Sequence, residues 1–155
     1  MSRKTAARRL RSACSAPSSE PRTAGSARAP SDRLELARRG EALVADQLRA
    51  QGFEIVGMNV RVGRLELDII AQRGSLLVVC EVRTRRKPAP IFPSETLGPQ
   101  KLERLRRASA QWLREQPAGT GRRSLRIDAA AVILPPDGSA TIEYYENISY
   151  PLRSY

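Results

Sequence analysis

From Asp32 onward the chain places Leu36, Gly40, Val44 and Leu48 at intervals of four, with charged residues between them, until Gly52. This spacing lays an apolar stripe along one side of a helix, and Asp32 followed by Glu35 has the form of a capping box. The period then changes. "FEIVGMNVR" reads as a strand, Gly63 turns it into "LELDIIA", and Arg73-Gly74 turns that into "LLVVCEVRT", which predicts an antiparallel meander of three strands. A Pro-rich loop, "KPAPIFPSETLGP", leads to "QKLERLRRASAQWLREQ", where Leu102, Leu105, Ser109 and Trp112 fall on one helical face and Arg104, Arg107 and Arg114 largely off it. "LRIDAAAVIL" is a fourth strand, the "PPDG" turn ends it, and "TIEYYENI" is a fifth. The order αβββαββ, with no internal repeat, predicts an α/β (mixed α+β) fold: a mixed central sheet flanked by helices.

Strand alternation gives the meander its chemical interest. Glu66 and Asp68 point one way while Leu65, Leu67 and Ile69 point the other, and Glu81 and Arg83 share a face opposite Val78, Cys80 and Val82. A tight turn pairing Gln72 with Ser75 sets Glu66 across from Glu81 and Asp68 across from Val79; a slip of two residues sets Asp68 across from Glu81 instead. Either register gathers the three acids on one face, and a slip of one separates them. Carboxylates held together repel one another, so a positive charge belongs among them. A divalent cation is one solution, since Mg²⁺ favours carboxylate oxygens and a bound metal activates water and stabilises charge at a phosphate. A structural ion-pair cluster with Arg64, Arg83 or Arg85 is the other.

Composition narrows the classes. The net charge is +11 and only three of the 27 basic residues are lysines. A strongly basic protein is drawn to polyanions, chiefly nucleic acid, with anionic membrane as the rival. Residues 1–31 carry seven Lys or Arg against one Glu amid Ala, Ser and Pro, and are expected to form a disordered basic tail preceding a domain over residues 32–155. An organelle transit peptide has the same composition, but the Arg and Ala bias of a GC-rich coding sequence favours a bacterial tail or an over-long start. The sequence has no histidine, which removes Ser-His-Asp and Cys-His hydrolysis, His-ligated zinc and imidazole bases together. Cys14 and Cys80 lie in unlike contexts, so a reducing cytoplasm is expected and no disulfide framework. No apolar run is long enough to span a bilayer.

The pattern "GRLELDIIA...LLVVCEVRTR", preceded by "RRGEALVADQLRAQGFEIVGMNVR" and followed by "PSETLGPQKLERLRRASAQWLRE", resembles the YraN-like family of small uncharacterised bacterial proteins over roughly residues 34 to 150. The resemblance implies a restriction-endonuclease-like αβββαβ core, similar to archaeal Holliday junction resolvases. It further implies a PD-(D/E)XK site for phosphodiester hydrolysis with Mg²⁺ or Mn²⁺, on branched or damaged DNA. Carried over by position, Asp68 matches the metal-binding Asp and Glu81 the acid of the (D/E)XK motif. Glu41 matches a helical Glu that joins the metal shell, Glu66 a supporting Glu, and Lys101 a lysine placed to touch phosphate. Arg126, Asp128, Glu146 and Asn147 match C-terminal signatures. A resolvase-type activity implies a homodimer, since two strands must be cut.

One departure bears on catalysis. The nuclease motif has Lys where this chain has Arg83, and arginine stays protonated; it can stabilise a developing phosphorane charge but is a poor base. Activity is then lowered, displaced onto Lys87, or lost, and the alternative to a nuclease is a nucleic-acid-binding module of the same fold. A protein-interaction domain using the basic tail is a third class. "RTRRK", which brings Arg85, Arg86 and Lys87 directly after the acidic strand, is a candidate phosphate contact. Trp112 is read as core, Tyr144, Tyr145 and Tyr150 as sheet-edge aromatics, and Cys80 as an inert core thiol.

Overall fold

In the computed structural model, residues 8–10, 30–87, 97–117 and 123–148 are described. The elements in chain order are β1 (Arg8–Leu10), α1 (Pro30–Ala50), β2 (Glu54–Val62), β3 (Leu65–Arg73), β4 (Leu76–Arg85), α2 (Pro99–Glu115), β5 (Ser124–Ile133) and β6 (Thr141–Tyr145). The strands form one sheet in the order β1-β6-β5-β4-β3-β2. β2, β3 and β4 are the expected antiparallel meander, β4 and β5 run parallel, and β6 returns antiparallel to β5. A parallel neighbour cannot be reached by a tight turn, and α2 lies in the crossover that the β4–β5 pair requires.

The helices cover opposite faces. Val44, Ala45 and Leu48 of α1 pack with Ile69, Val78, Cys80 and Val132. Leu105, Ala108 and Trp112 of α2 pack with Leu67, Ile70, Leu77, Val79 and Ile127. Central β4 is therefore apolar on both sides, which is why "LLVVCEV" reads as a continuous run and not as an alternation. Among the described residues no helix is long and apolar enough to cross a membrane.

Two details differ from the expected boundaries. The first helix begins at Pro30, not Asp32; proline suits the first helical position, and Asp32 lies in the first turn, where its charge favours the helix dipole. Within the segment expected as a tail, Arg8–Leu10 pairs antiparallel with β6, Arg8 opposite Tyr144 and Leu10 opposite Ile142. Residues 1–7 and 11–29, Cys14 among them, lie outside the described residues, as do most of the Pro-rich loop and Tyr150.

At its other end α1 closes as the sequence indicates. Gly52 adopts φ +85, its N–H bonds to Arg49 O at 2.9 Å and that of Phe53 to Leu48 O at 3.0 Å, the double closure that a left-handed residue permits. Near the middle, Gly40 lets α1 lie directly on β4: a Cβ there would overlap Thr84 Oγ1 and stand 2.9 Å from Thr84 Cβ and Cγ2. Gly40→Ala is accordingly expected to push α1 off β4 and destabilise the fold by about 1–3 kcal/mol. Urea denaturation of this variant beside wild type measures it, and an unchanged midpoint would show that the helix can shift without loss.

Candidate functional site

The site forms where β3 and β4 part. Gly74 (φ +58) and Ser75 make a two-residue turn, so Arg73 pairs with Leu76 and the ladder runs to Ile69 opposite Cys80. This is shifted by two from the register that pairs Gln72 with Ser75: Glu66 is not across from Glu81, and the same register carried on brings Asp68 level with Glu81. The ladder is not carried on by backbone. The Val82 N–H donates instead to Asp68 Oδ2 at 2.8 Å, so a side-chain carboxylate takes a strand amide.

Alternation also breaks here. Leu67 packs in the α2 cluster and Ile69 in the α1 cluster, although strict alternation would put both on one face. The expected face shared by Leu65, Leu67 and Ile69 is therefore divided, with Leu65 and Leu67 toward α2. In the neighbouring strand, Met58 pairs with Ile69 and Val60 with Leu67, and Asn59 between them adopts φ +52. Asparagine tolerates this left-handed geometry better than most residues, and its kink in β2 falls level with Asp68.

The kink aims Asn59 Nδ2 at Glu41 Oε2, 2.9 Å away, and so fixes the one acid supplied by α1. Burial raises the Glu41 pKa; the Asn59 hydrogen bond opposes this, and Glu66 and Glu81 add to it. Asp68 is affected more strongly. Burial first, then the Glu81 charge, push its carboxyl up to about 7 against the pull of the Val82 amide, with Glu41 raising it further and Lys101 lowering it. Glu81 is only 7% exposed at its side chain. The Lys101 ammonium, reaching from α2, bonds its Oε1, and Arg83 Nε lies 3.8 Å from the same oxygen. Glu66 stands outside, exposed, with Arg61 at 3.9 Å.

The charges of Glu81 and Glu41 thus both raise the proton affinity of Asp68, and Glu66, though turned to solvent, is near enough to act on Glu41. Among the described residues no three acidic side chains converge as a ready-made metal cage. The donor set still suits a hard divalent ion, because Mg²⁺ is commonly held by one or two carboxylates and keeps water in its other positions. Asp68 and Glu81 would supply those oxygens, and burial together with the Glu81 charge, which hold the Asp68 carboxyl up to about 7, are what a cation there would offset. Arg83 is exposed beside Glu81, Arg85 is exposed farther along β4, Lys87 is exposed after the strand ends, and Arg86 is half-buried.

Sequence reasoning missed the partnership of Asn59 with Glu41 and that of Lys101 with Glu81. It also left the C-terminal signature residues without a role. Asp128 is fully buried and accepts from Arg126 Nη2 (2.8 Å), Tyr144 Oη (2.7 Å) and the Asn147 N–H (2.8 Å). Arg126 Nη1 also lies 3.5 Å from Glu146. These residues brace β5, β6 and the following turn. The one readable signal was an acid alone in the apolar run "RIDAAAVI". Tyr144 is therefore a buried structural residue, not an edge aromatic, and Trp112 is core as expected.

A family model described as "Uncharacterised protein family UPF0102" matches residues 40–132. A UPF0102 protein of Streptomyces coelicolor is 38% identical over 115 residues, covering 74% of this chain and 88% of its own length. Another, from Sorangium cellulosum, is 41% identical over 132 residues, covering 83% and 92%. A third, from Kineococcus radiotolerans, is 37% identical over 110 residues, covering 71% and 89%.

Proposed function

The chain belongs to the uncharacterised protein family UPF0102, and within it we propose that this protein is a divalent-metal-dependent phosphodiesterase of endonuclease type acting on nucleic acid, with DNA as the expected substrate. The observation that carries the reading is Asp68: a carboxyl held by the Val82 amide beside buried Glu81, at the level where β3 and β4 stop pairing through backbone. Carboxylates arranged this way are costly to keep unless they serve a cation. Asp68 and Glu81 would hold Mg²⁺ or Mn²⁺, with Glu41 flanking from α1. The ion, when bound, supplies an activated water and charge neutralisation at the phosphate.

The remaining work falls to the chain's own side chains. Arg83 presents a fixed positive charge to the phosphate, and Arg85, Arg86 and Lys87 extend a basic run along which a backbone can lie. Val82 holds Asp68 by its amide, and Asn59 holds Glu41, so both acids are oriented before any substrate arrives.

A second reading has its own support. Glu81 already carries Lys101 and Arg83, which is what a nucleic-acid-binding module would retain after catalysis was lost. Incubation with labelled linear, single-stranded and four-way-junction DNA, with Mg²⁺, Mn²⁺ or chelator, separates the two. Cleavage that needs metal and disappears in Asp68→Ala and Glu81→Ala is the expected result, and Arg83→Lys is expected to cleave faster than wild type. Salt-sensitive binding with no cleavage by any of these proteins would leave the binding module.

A further inference from the structure

Resting on that reading, we propose that Lys101 is the site's resident cation: its ammonium holds Glu81 until a divalent ion displaces it, and the freed side chain then takes a phosphate oxygen of the nucleic acid.

The position of Lys101 is explained by Glu81 and not by its helix. It lies in the first turn of α2, where the helix dipole disfavours a positive charge and where no acidic residue offsets it. Its nitrogen nevertheless bonds the oxygen of a carboxylate 20 residues away in sequence. Glu81 at 7% exposure has little water to neutralise it, so the lysine supplies the closer of the two cations that this buried charge has. Arg83, at 3.8 Å and about half exposed, is the looser partner.

The same geometry makes the contact exchangeable. Lys101 is 31% exposed, so its head can reach solvent without unfolding α2. An ammonium on a flexible four-carbon stem leaves one carboxylate oxygen without undoing a two-pronged pair, as an arginine there would have to. A divalent ion between Asp68 and Glu81 would share the Glu81 carboxylate with the Lys101 ammonium, and the repulsion of the two cations sets them in competition for it. With Asp68 and Glu81 both taken by the ion, the released ammonium would turn to a phosphate oxygen of a nucleic acid lying along Arg83 and Arg85. Metal arrival and substrate grip are thereby joined in one side chain, a role that a permanent structural ion pair would not perform.

The test is calorimetric titration of the full chain with Mn²⁺ in wild type, Lys101→Met and Lys101→Arg. Lys101→Met is expected to bind Mn²⁺ about tenfold more tightly because the competitor is gone, a change of about 1.4 kcal/mol; Lys101→Arg should bind no more tightly than wild type. In parallel, DNA binding by wild type should become steeper in its salt dependence when Mn²⁺ is added, by roughly one phosphate contact or about 0.9 in the logarithmic slope, and Lys101→Met should show no such change. Lys101→Gln, which keeps a hydrogen bond to Glu81 without the charge, serves if the methionine variant folds poorly and should move Mn²⁺ affinity the same way. Equal or weaker Mn²⁺ binding by the neutral variants, with wild type binding the ion, overturns the exchange and leaves the metal site standing. No Mn²⁺ binding by any of the proteins overturns both.

Discussion

Asp128→Ala is expected to lower the stability of the fold by about 3–5 kcal/mol, the range for removing one partner of a buried ion pair. One carboxylate answers three donors from three places in the chain: Arg126 in the same strand, Tyr144 in β6 and the Asn147 amide beyond it. Alanine leaves all three without their acceptor, in surroundings from which Asp128 itself is fully excluded from water. Burial pushes the Asp128 carboxyl up, and the Asn147 amide, the Arg126 hydrogen bond and charge, and the Tyr144 hydroxyl pull it back. Asp128→Asn keeps the shape and some of the acceptors and should lose less. Urea denaturation followed by circular dichroism gives both values. A midpoint for Asp128→Ala close to wild type would mean that water enters and replaces the carboxylate.

Asp68→Asn is expected to act in two directions at once. Asp68 has a folded-state pKa of about 7 against 3.8 for the free group, so its contribution to stability is fully present below pH 3.8 and is lost as pH rises toward 7. Asparagine cannot ionise, retains an oxygen for the Val82 amide and presents an amide to Glu81, so the variant should be more stable than wild type at neutral pH. The difference should shrink toward pH 4. The same variant should lose the stabilisation that Mg²⁺ or Mn²⁺ gives wild type above pH 7, and lose cleavage by more than about 100-fold, beyond the usual cost of altering a supporting residue around a metal. Thermal midpoints from pH 4 to 8, with and without the ion, test each part. A variant less stable than wild type at pH 8 would show that Asp68 is satisfied by the protein alone.

The elements were legible because the hydrophobic period changes cleanly, from four-residue spacing through Leu36, Val44 and Leu48 to short apolar runs and back to helical spacing at Leu102 and Leu105. The layers followed, since a strand as apolar as β4 has to be covered on both faces. Register was harder. Whether Gly74 is the second or the first residue of the turn region shifts every pair by two, and local composition does not choose. The break of alternation at Asp68 had no local signal: it lies level with Asn59 of the adjacent strand, whose left-handed conformation the run "FEIVGMNVR" does not announce. Asp68 and Glu81 were singled out by strand alternation and Glu41 by family resemblance, and the structure brings the three near one another; Glu66, with the same strand parity as Asp68 on paper, is exposed and faces Arg61. Lys101 was read as a phosphate contact through the family resemblance, and its pairing with Glu81 was not legible because that partner lies on another element.

The kink that aims Asn59 also acts on the margin of the sheet. β2 is the last strand in the order, and no described strand pairs with its outer side. A nine-residue margin with exposed Val56 and Met58 is the kind of flat template on which a second chain stacks and precipitates. The irregularity between Ile55 and Gly57 and the reversed backbone at Asn59 interrupt it twice within five residues, so few consecutive amides and carbonyls stay in line for a stranger to zip onto. The local bend that positions Glu41 thereby also makes this margin a poorer template for a second chain, so one irregularity serves both the site and the edge.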